Sequence, residues 1–92
     1  MKRVTNKQLE AQVEGINILT NSPKTSYTKL KPGKYKANIN NFHLDYAYGG
    51  VALHRMNNLG GGVIDLFHGH YSKRELSEKL YAFVKGLEYA NK

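Results

Sequence analysis

The stretch that decides the fold is FHLDYAYGGVALHRM, residues 42–56, because its side chains alternate in character with a period of two. Phe42, Leu44 and Tyr46 alternate with polar residues, which predicts a strand with one buried face. Residues 48–50, YGG, have the composition of a turn, and the residues that follow alternate again. The stretch therefore predicts a β-hairpin.

A helix is predicted on each side of this hairpin. Thr5 with Gln8, and Ser72 with Glu75, have the spacing of a capping box at a helix start. Apolar residues follow each box at helical spacing. They are Leu9, Val13, Ile16 and Leu19 in the first helix, and Leu76, Leu80, Phe83, Val84 and Leu87 in the second.

A third strand is predicted at residues 63–67, after the glycine run 60–62. The expected fold is α+β: a three-stranded antiparallel meander with N- and C-terminal helices packed on one face, in the order α-β-β-β-α. A chain of 92 residues is expected to form a single domain, residues 1–92. Because Pro23, Pro32 and Gly33 interrupt it, the basic segment at about 21–36 is expected to be irregular.

Positive charge is concentrated in that segment. The chain has 14 Lys and Arg against 7 Asp and Glu, a net charge of +7, and no acidic residue lies between Glu14 and Asp45. Lysines interleaved with tyrosines are typical of a surface that meets phosphates or an acidic partner, although a solvated lysine-rich loop has the same composition. The residues predicted to bind a partner or nucleic acid are Lys24, Lys29, Lys31, Lys34, Tyr35 and Lys36.

Catalytic and metal sites are not indicated. The chain has no cysteine, and only His68 and His70 are paired at a useful spacing, where a third imidazole or Asp65 would have to complete the site. Ser72 is accounted for as a helix cap, and no nucleophile motif surrounds it. We therefore predict no enzymatic activity, no catalytic residues, no cofactor and no metal site. The roles of His43, His54, His68 and His70 stay open.

Five of the nine glycines fall in two predicted strand connections. Glycine in such turns supplies positive φ, but bare backbone amides in the same turns also bind anions. No phosphate-loop or dinucleotide fingerprint is present. The candidate nucleotide or anion site comprises Tyr48, Gly49, Gly50, His54, Arg55, Gly60, Gly61 and Gly62.

Two resemblances bear on function. The predicted element order is similar to that of double-stranded-RNA-binding domains, in which a basic helix start contacts phosphates. A second resemblance covers about half of the chain and is carried by Asn41-Phe42-His43-Leu44, Ala47-Tyr48-Gly49-Gly50, His54-Arg55-Met56, Gly60-Gly61-Gly62-Val63, Lys73-Arg74-Glu75-Leu76, Ala82-Phe83 and Gly86-Leu87. On these runs the chain resembles small accessory proteins of tailed bacteriophages and prophages.

The phage resemblance implies a non-enzymatic binding protein that acts in the cytoplasm of a bacterial host. The expected function is inhibition of a host factor, in particular a nucleic-acid-handling defence system, in the manner of anti-CRISPR proteins. Two alternatives stay open: a sponge that sequesters a signalling nucleotide, and an RNA- or DNA-binding module. The expected partners are a host protein or protein–nucleic-acid complex, or RNA or DNA directly; no membrane partner is expected, and the oligomeric state is open.

Overall fold

The capping boxes begin both helices as the sequence predicts. In the computed structural model, which describes residues 3–91, the Thr5 side chain accepts from the Gln8 backbone N–H while the Gln8 side chain accepts from that of Thr5. Ser72 and Glu75 make the same reciprocal pair. Each box satisfies backbone donors that the first helical turn leaves free.

The fold is α+β, with two helices and two antiparallel sheets. One sheet contains two strands and the other contains three. In chain order the elements are α1 (Asn6–Leu19), β1 (Tyr27–Lys31), β2 (Lys34–Ala37), β3 (Phe42–Ala47), β4 (Gly50–Met56), β5 (Val63–Asp65) and α2 (Lys73–Ala90).

The three-stranded sheet has the strand order β3-β4-β5, and its register is set by the turn between β3 and β4. Tyr48 and Gly49 form this turn with φ angles of 55° and 72°. Positive φ at both central positions is the requirement of a two-residue type I′ hairpin. The turn pairs Leu44 with Leu53 and therefore places both side chains on the same face of the sheet.

Both helices pack on that face. Leu9, Val13 and Ile16 of α1 lie in one buried cluster with Leu76 and Leu80 of α2. The sheet contributes Phe42, Val51 and Leu53 to the same cluster. Phe83 of α2 lies at its margin, with its ring edge-to-face against Phe42 at 6.0 Å between centroids. The helical stripes predicted from the sequence therefore form the core or pack against it, with the exception of Leu19.

Within the segment at about 21–36, residues 21–26 are irregular but residues 27–36 are not, which corrects the sequence prediction. Residues 27–37 form a β-hairpin, β1 and β2, so the described chain has five strands and the order α-β-β-β-β-β-α. The prediction missed these strands because their side chains are almost all exposed and lack the apolar alternation of a half-buried strand. Pro32 and Gly33, taken as interruptions, form the hairpin turn.

A buried asparagine joins α1 to the edge of the larger sheet. The Asn17 side-chain amide donates to the Phe42 carbonyl at 3.0 Å, and the Phe42 N–H donates to Asn17 Oδ1 at 2.8 Å. A strand neighbour would make the same pair of hydrogen bonds. Asn17 thus satisfies one backbone position of the edge strand β3 and fixes α1 against it.

Candidate functional site

The clearest surface feature is the β1–β2 hairpin, residues 27–37, which we call the arm. Its strands pack on each other, and neither pairs with a strand of the three-stranded sheet. Gly33, at φ 78°, follows Pro32 in the turn, as in a type II turn, and the register shifts between Lys29 and Lys31. A five-residue strand extends about 17 Å, so the arm is a two-stranded ribbon of that length.

Side chains from residues 38–41 hold the base of the arm. Asn38 Nδ2 donates to the Thr25 carbonyl at 2.9 Å, and the Thr28 hydroxyl donates to Asn38 Oδ1 at 3.1 Å. Asn41, which is 1% exposed, donates to the Pro23 carbonyl and accepts from the Ser26 hydroxyl. These hydrogen bonds fix where the ribbon leaves the rest of the molecule.

The structure brings most of the predicted partner-binding residues onto this ribbon. Lys29 is paired with Tyr35, Thr28 with Lys36, and Lys31 with Lys34. All four of these lysines are exposed, and Tyr35 is 62% exposed. Lys24 is exposed as well but precedes the ribbon, beside a groove between α1 and β3.

The candidate nucleotide or anion residues are not brought together as one set, although Tyr48 and His54 both contact the His70 ring. Tyr48, Gly49 and Gly50 lie at one end of β4 and the glycine run 60–62 lies beyond the other, about 20 Å apart along a seven-residue strand. His54 and Arg55 are neighbours in β4 and therefore point to opposite faces of the sheet. Arg55 donates to the Asn40 side chain at 3.1 Å.

The amides of residues 60–62 already have partners. The N–H groups of Gly60 and Gly62 donate to Asn58 Oδ1, each at 3.0 Å, and the Gly61 N–H donates to the Asn58 carbonyl at 3.1 Å. Gly61 has φ 91°, and a Cβ there would lie 2.7 Å from the Tyr27 hydroxyl oxygen at the base of the arm. Turn geometry and the close approach of the arm therefore explain why glycines occupy residues 60–62.

A row of aromatic rings crosses the sheet face opposite the helices. Tyr48 contacts His70 edge-to-face at 5.3 Å between ring centroids; His70 and His54 follow at 6.3 Å, and His54 and His43 at 5.9 Å. His70 Nε2 lies 2.8 Å from Asp45 Oδ2. That hydrogen bond, followed by smaller effects of the neighbouring imidazoles, lowers the pKa of Asp45 below its ordinary value.

His43, at the opposite end of the row from Tyr48, is partly buried. Desolvation, and then the neighbouring His54, lower the pKa of His43 below its ordinary value, which favours the neutral imidazole. The turn at Tyr48 and Gly49 sets the register that pairs His43 with His54, so this pairing could have been predicted from the sequence. The contact of His70 with Asp45 depends on the path of the loop after β5, and no local sequence pattern predicts it.

The residues weighed for a metal site lie apart. His68 is exposed at φ 59°, whereas His70 faces Asp45. Asp65 Oδ2 accepts from the Gly69 N–H at 2.8 Å, while its Oδ1 is buried and has no hydrogen-bond partner within the described part of the chain. Across residues 3–91, no three His, Asp or Glu side chains are grouped so that they would hold a metal ion.

Comparison of the chain with protein-family models, with curated proteins and with solved structures found no match. Neither helix of the described residues has the length and apolar character needed to cross a membrane.

Proposed function

We propose that this is a nucleic-acid-binding protein that contacts phosphates through the lysines of the arm. The observation that carries the proposal is the arm itself: Lys29, Lys31, Lys34 and Lys36 lie on one exposed two-stranded ribbon outside the packed core. Lysine neutralises phosphates, and a two-stranded β-ribbon fits the major groove of B-form DNA. Exposed positive charge in this form suits a polyanion better than a small ligand.

No ion pair within residues 3–91 compensates the charge on the arm. Over residues 3–91 the acid–base contacts join His70 to Asp45 and Lys85 to Glu88, and neither involves the arm. Lys31 lies directly opposite Lys34, and like charges at opposed positions destabilise a strand pair. An anionic partner would relieve this repulsion, so binding is expected to stabilise the arm.

Aromatic side chains on the same ribbon add a contact of a second kind. Tyr35 is opposite Lys29, and Tyr27 lies two residues before Lys29 on the same strand. Tyr27 and Tyr35 are 49% and 62% exposed. Bases stack on tyrosine rings with little dependence on sequence, so the ribbon favours general binding to RNA or DNA over base-specific recognition.

The proposal includes the role that the phage resemblance implies, namely inhibition of a host nucleic-acid-handling defence system. An arm that occupies a nucleic acid, or the channel that receives it, would exclude the host factor from its substrate. The nucleotide-sponge alternative has less geometric support. Its residues lie at two ends of β4, and the amides of residues 60–62 donate to Asn58.

The experiment replaces Lys29, Lys31, Lys34 and Lys36 with glutamine and measures binding to duplex DNA, duplex RNA and single strands across a range of salt. Each phosphate contact releases a counterion, so loss of four contacts is expected to reduce the slope of log K against log salt by about 3.6 on duplex DNA. Affinity at low salt should fall for every sequence tested.

The matched control removes the same net charge elsewhere, by replacing Arg3, Lys7, Lys79 and Lys85 with glutamine. This control should change the salt slope much less, because none of these residues lies on the arm or at the start of α2. Equal losses in both quadruple variants would show a general charge effect and contradict the proposed role of the arm. Co-purification from a host lysate that survives nuclease treatment would instead identify a protein target.

A further inference from the structure

The outer edge of β3 exposes backbone hydrogen-bonding groups. Residues of an antiparallel strand direct their N–H and C=O groups alternately toward and away from a given neighbour. Val51 exchanges both backbone hydrogen bonds with Tyr71, and the Leu53 carbonyl accepts from the Leu66 N–H, so both residues face away from β3. Their partners across the ladder, Tyr46 and Leu44, therefore direct their backbone groups away from β4, to the free edge.

Only one position of this edge is occupied within residues 3–91. The Asn17 amide makes both hydrogen bonds of a strand neighbour at Phe42. No hydrogen bond to the outward N–H or C=O of Leu44 or Tyr46 is formed by the described residues. The edge thus offers two vacant ladder positions next to one that a side chain has filled.

A groove of about 440 Å³ runs between this edge and α1. Val13 and Leu44 supply apolar wall, and Glu10 and Glu14 lie one helical turn apart on the α1 side. The volume lies within the usual range of ligand-binding clefts, about 300–1,000 Å³. The groove is open enough for a chain segment to enter alongside β3.

Charge identifies the kind of segment. Glu10 and Glu14 are exposed, and neither forms an ion pair within residues 3–91. Glu10 lines the groove together with Tyr46, so this carboxylate lies beside the vacant part of the edge, and burial followed by the nearby Glu10 raises the pKa of Tyr46. The positive charge in the groove comes from Lys24, which follows Pro23 near the end that Asn17 already occupies.

We propose that this groove binds an extended segment of a partner protein, with lysine or arginine at alternate positions, as an added strand on β3. Main-chain hydrogen bonds to Leu44 and Tyr46 supply affinity, as in other cases of β-strand addition. Residues of the segment directly opposite Leu44 and Tyr46 point to the helix side of the sheet, where Glu10 and Glu14 lie. Lysine or arginine at every second position of the segment would therefore lie at about the same spacing as Glu10 and Glu14, which are one helical turn apart.

The test uses a blocked heptapeptide of alternating threonine and lysine as the probe. In the free protein, the Leu44 and Tyr46 amides should exchange with solvent faster than those of His43 and Asp45, whose N–H groups face β4. Saturating peptide should protect the Leu44 and Tyr46 amides and shift their NMR signals. A glutamate version of the peptide should bind more weakly or not at all.

Two variants distinguish the contribution of the β3 backbone edge to peptide binding from that of the Glu10 and Glu14 carboxylates. Tyr46→Pro removes the outward N–H without loss of a ladder hydrogen bond and should abolish peptide binding, with folding checked by thermal denaturation. Glu10→Gln with Glu14→Gln should weaken binding about fivefold, while the charge-matched control Glu78→Gln with Glu88→Gln should not.

Three results would overturn the proposal. Equal binding of the lysine and glutamate peptides would remove the role of the carboxylates. Unchanged binding by Tyr46→Pro would remove the role of the edge. A dimer that forms without peptide and is lost in Tyr46→Pro would assign the groove to a second copy of this chain.

Discussion

The substitution Asn17→Ala tests how the edge of the larger sheet is completed. Asn17 is 3% exposed, and its amide makes two hydrogen bonds, of 3.0 and 2.8 Å, to the backbone of Phe42. Alanine leaves a buried carbonyl and a buried N–H without partners, which costs about 1–3 kcal/mol for each group. Alanine is also the better helix former, by roughly 0.6 kcal/mol at this interior position of α1.

The net loss of stability is therefore about 1.5–5 kcal/mol. In a domain of this size 1 kcal/mol moves Tm by about 4–8 °C, so Asn17→Ala should lower Tm by at least about 6 °C. Urea unfolding followed by circular dichroism measures the free energy directly. Hydrogen exchange adds a local readout: the Phe42 amide should lose protection, whereas the Val51 amide, which donates to the Tyr71 carbonyl, should keep it.

Asn6→Ala is the control, because Asn6 is an exposed asparagine in the first turn of the same helix. It should change the free energy of unfolding little. If Asn17→Ala and Asn6→Ala unfold at the same urea concentration and the Phe42 amide stays protected, Asn17 does not complete the edge. The vacancy at Leu44 and Tyr46 would then lose its structural basis as well.

Two further predictions concern the helix layer and the histidine row. Phe83→Ala removes a ring that contacts Phe42 and Phe67 edge-to-face, and it should lower the free energy of unfolding by about 3 kcal/mol. The control Lys85→Ala, on the exposed side of α2, should leave Tm nearly unchanged. Equal effects of the two substitutions in thermal denaturation would contradict the packing of α2 on the sheet. Because the folded state lowers the pKa of His43, the unfolded chain binds a proton more readily, so the free energy of unfolding should decrease as pH falls below about 6.5. Urea titrations at pH 7.5 and 5.5 measure this decrease, and a His43→Phe variant with an equally steep decrease would exclude His43 as its source.

The helices and the central hairpin were predictable because their signals are local. A capping box needs two residues three positions apart, and both boxes form where the spacing predicts them. The apolar stripes of α1 and α2 form the core with the alternating residues of β3 and β4. The pairing of His43 with His54 also follows from the position of the turn at Tyr48 and Gly49.

The arm shows where local pattern was insufficient. Its strands bury almost nothing, so they lack the alternation by which β3 and β4 were identified. Pairing between Tyr27 and Ala37, and anchoring by Asn38 and Asn41, hold them instead. Composition alone drew attention to the lysines, but it did not reveal that four of them share one ribbon.

By itself, the sequence determined the two helices, the β3–β4 hairpin, the apolar core and the basic character of residues 24–36. Tertiary structure alone decided that Asn17 completes the edge of β3, that His70 faces Asp45, and that the two glycine runs lie apart. The physical reason is the range of the interactions. Caps, turns and periodicity depend on neighbours within a few residues, whereas Asn17 with Phe42 and Asp45 with His70 each join positions 25 residues apart, and such contacts exist only after the layers have packed.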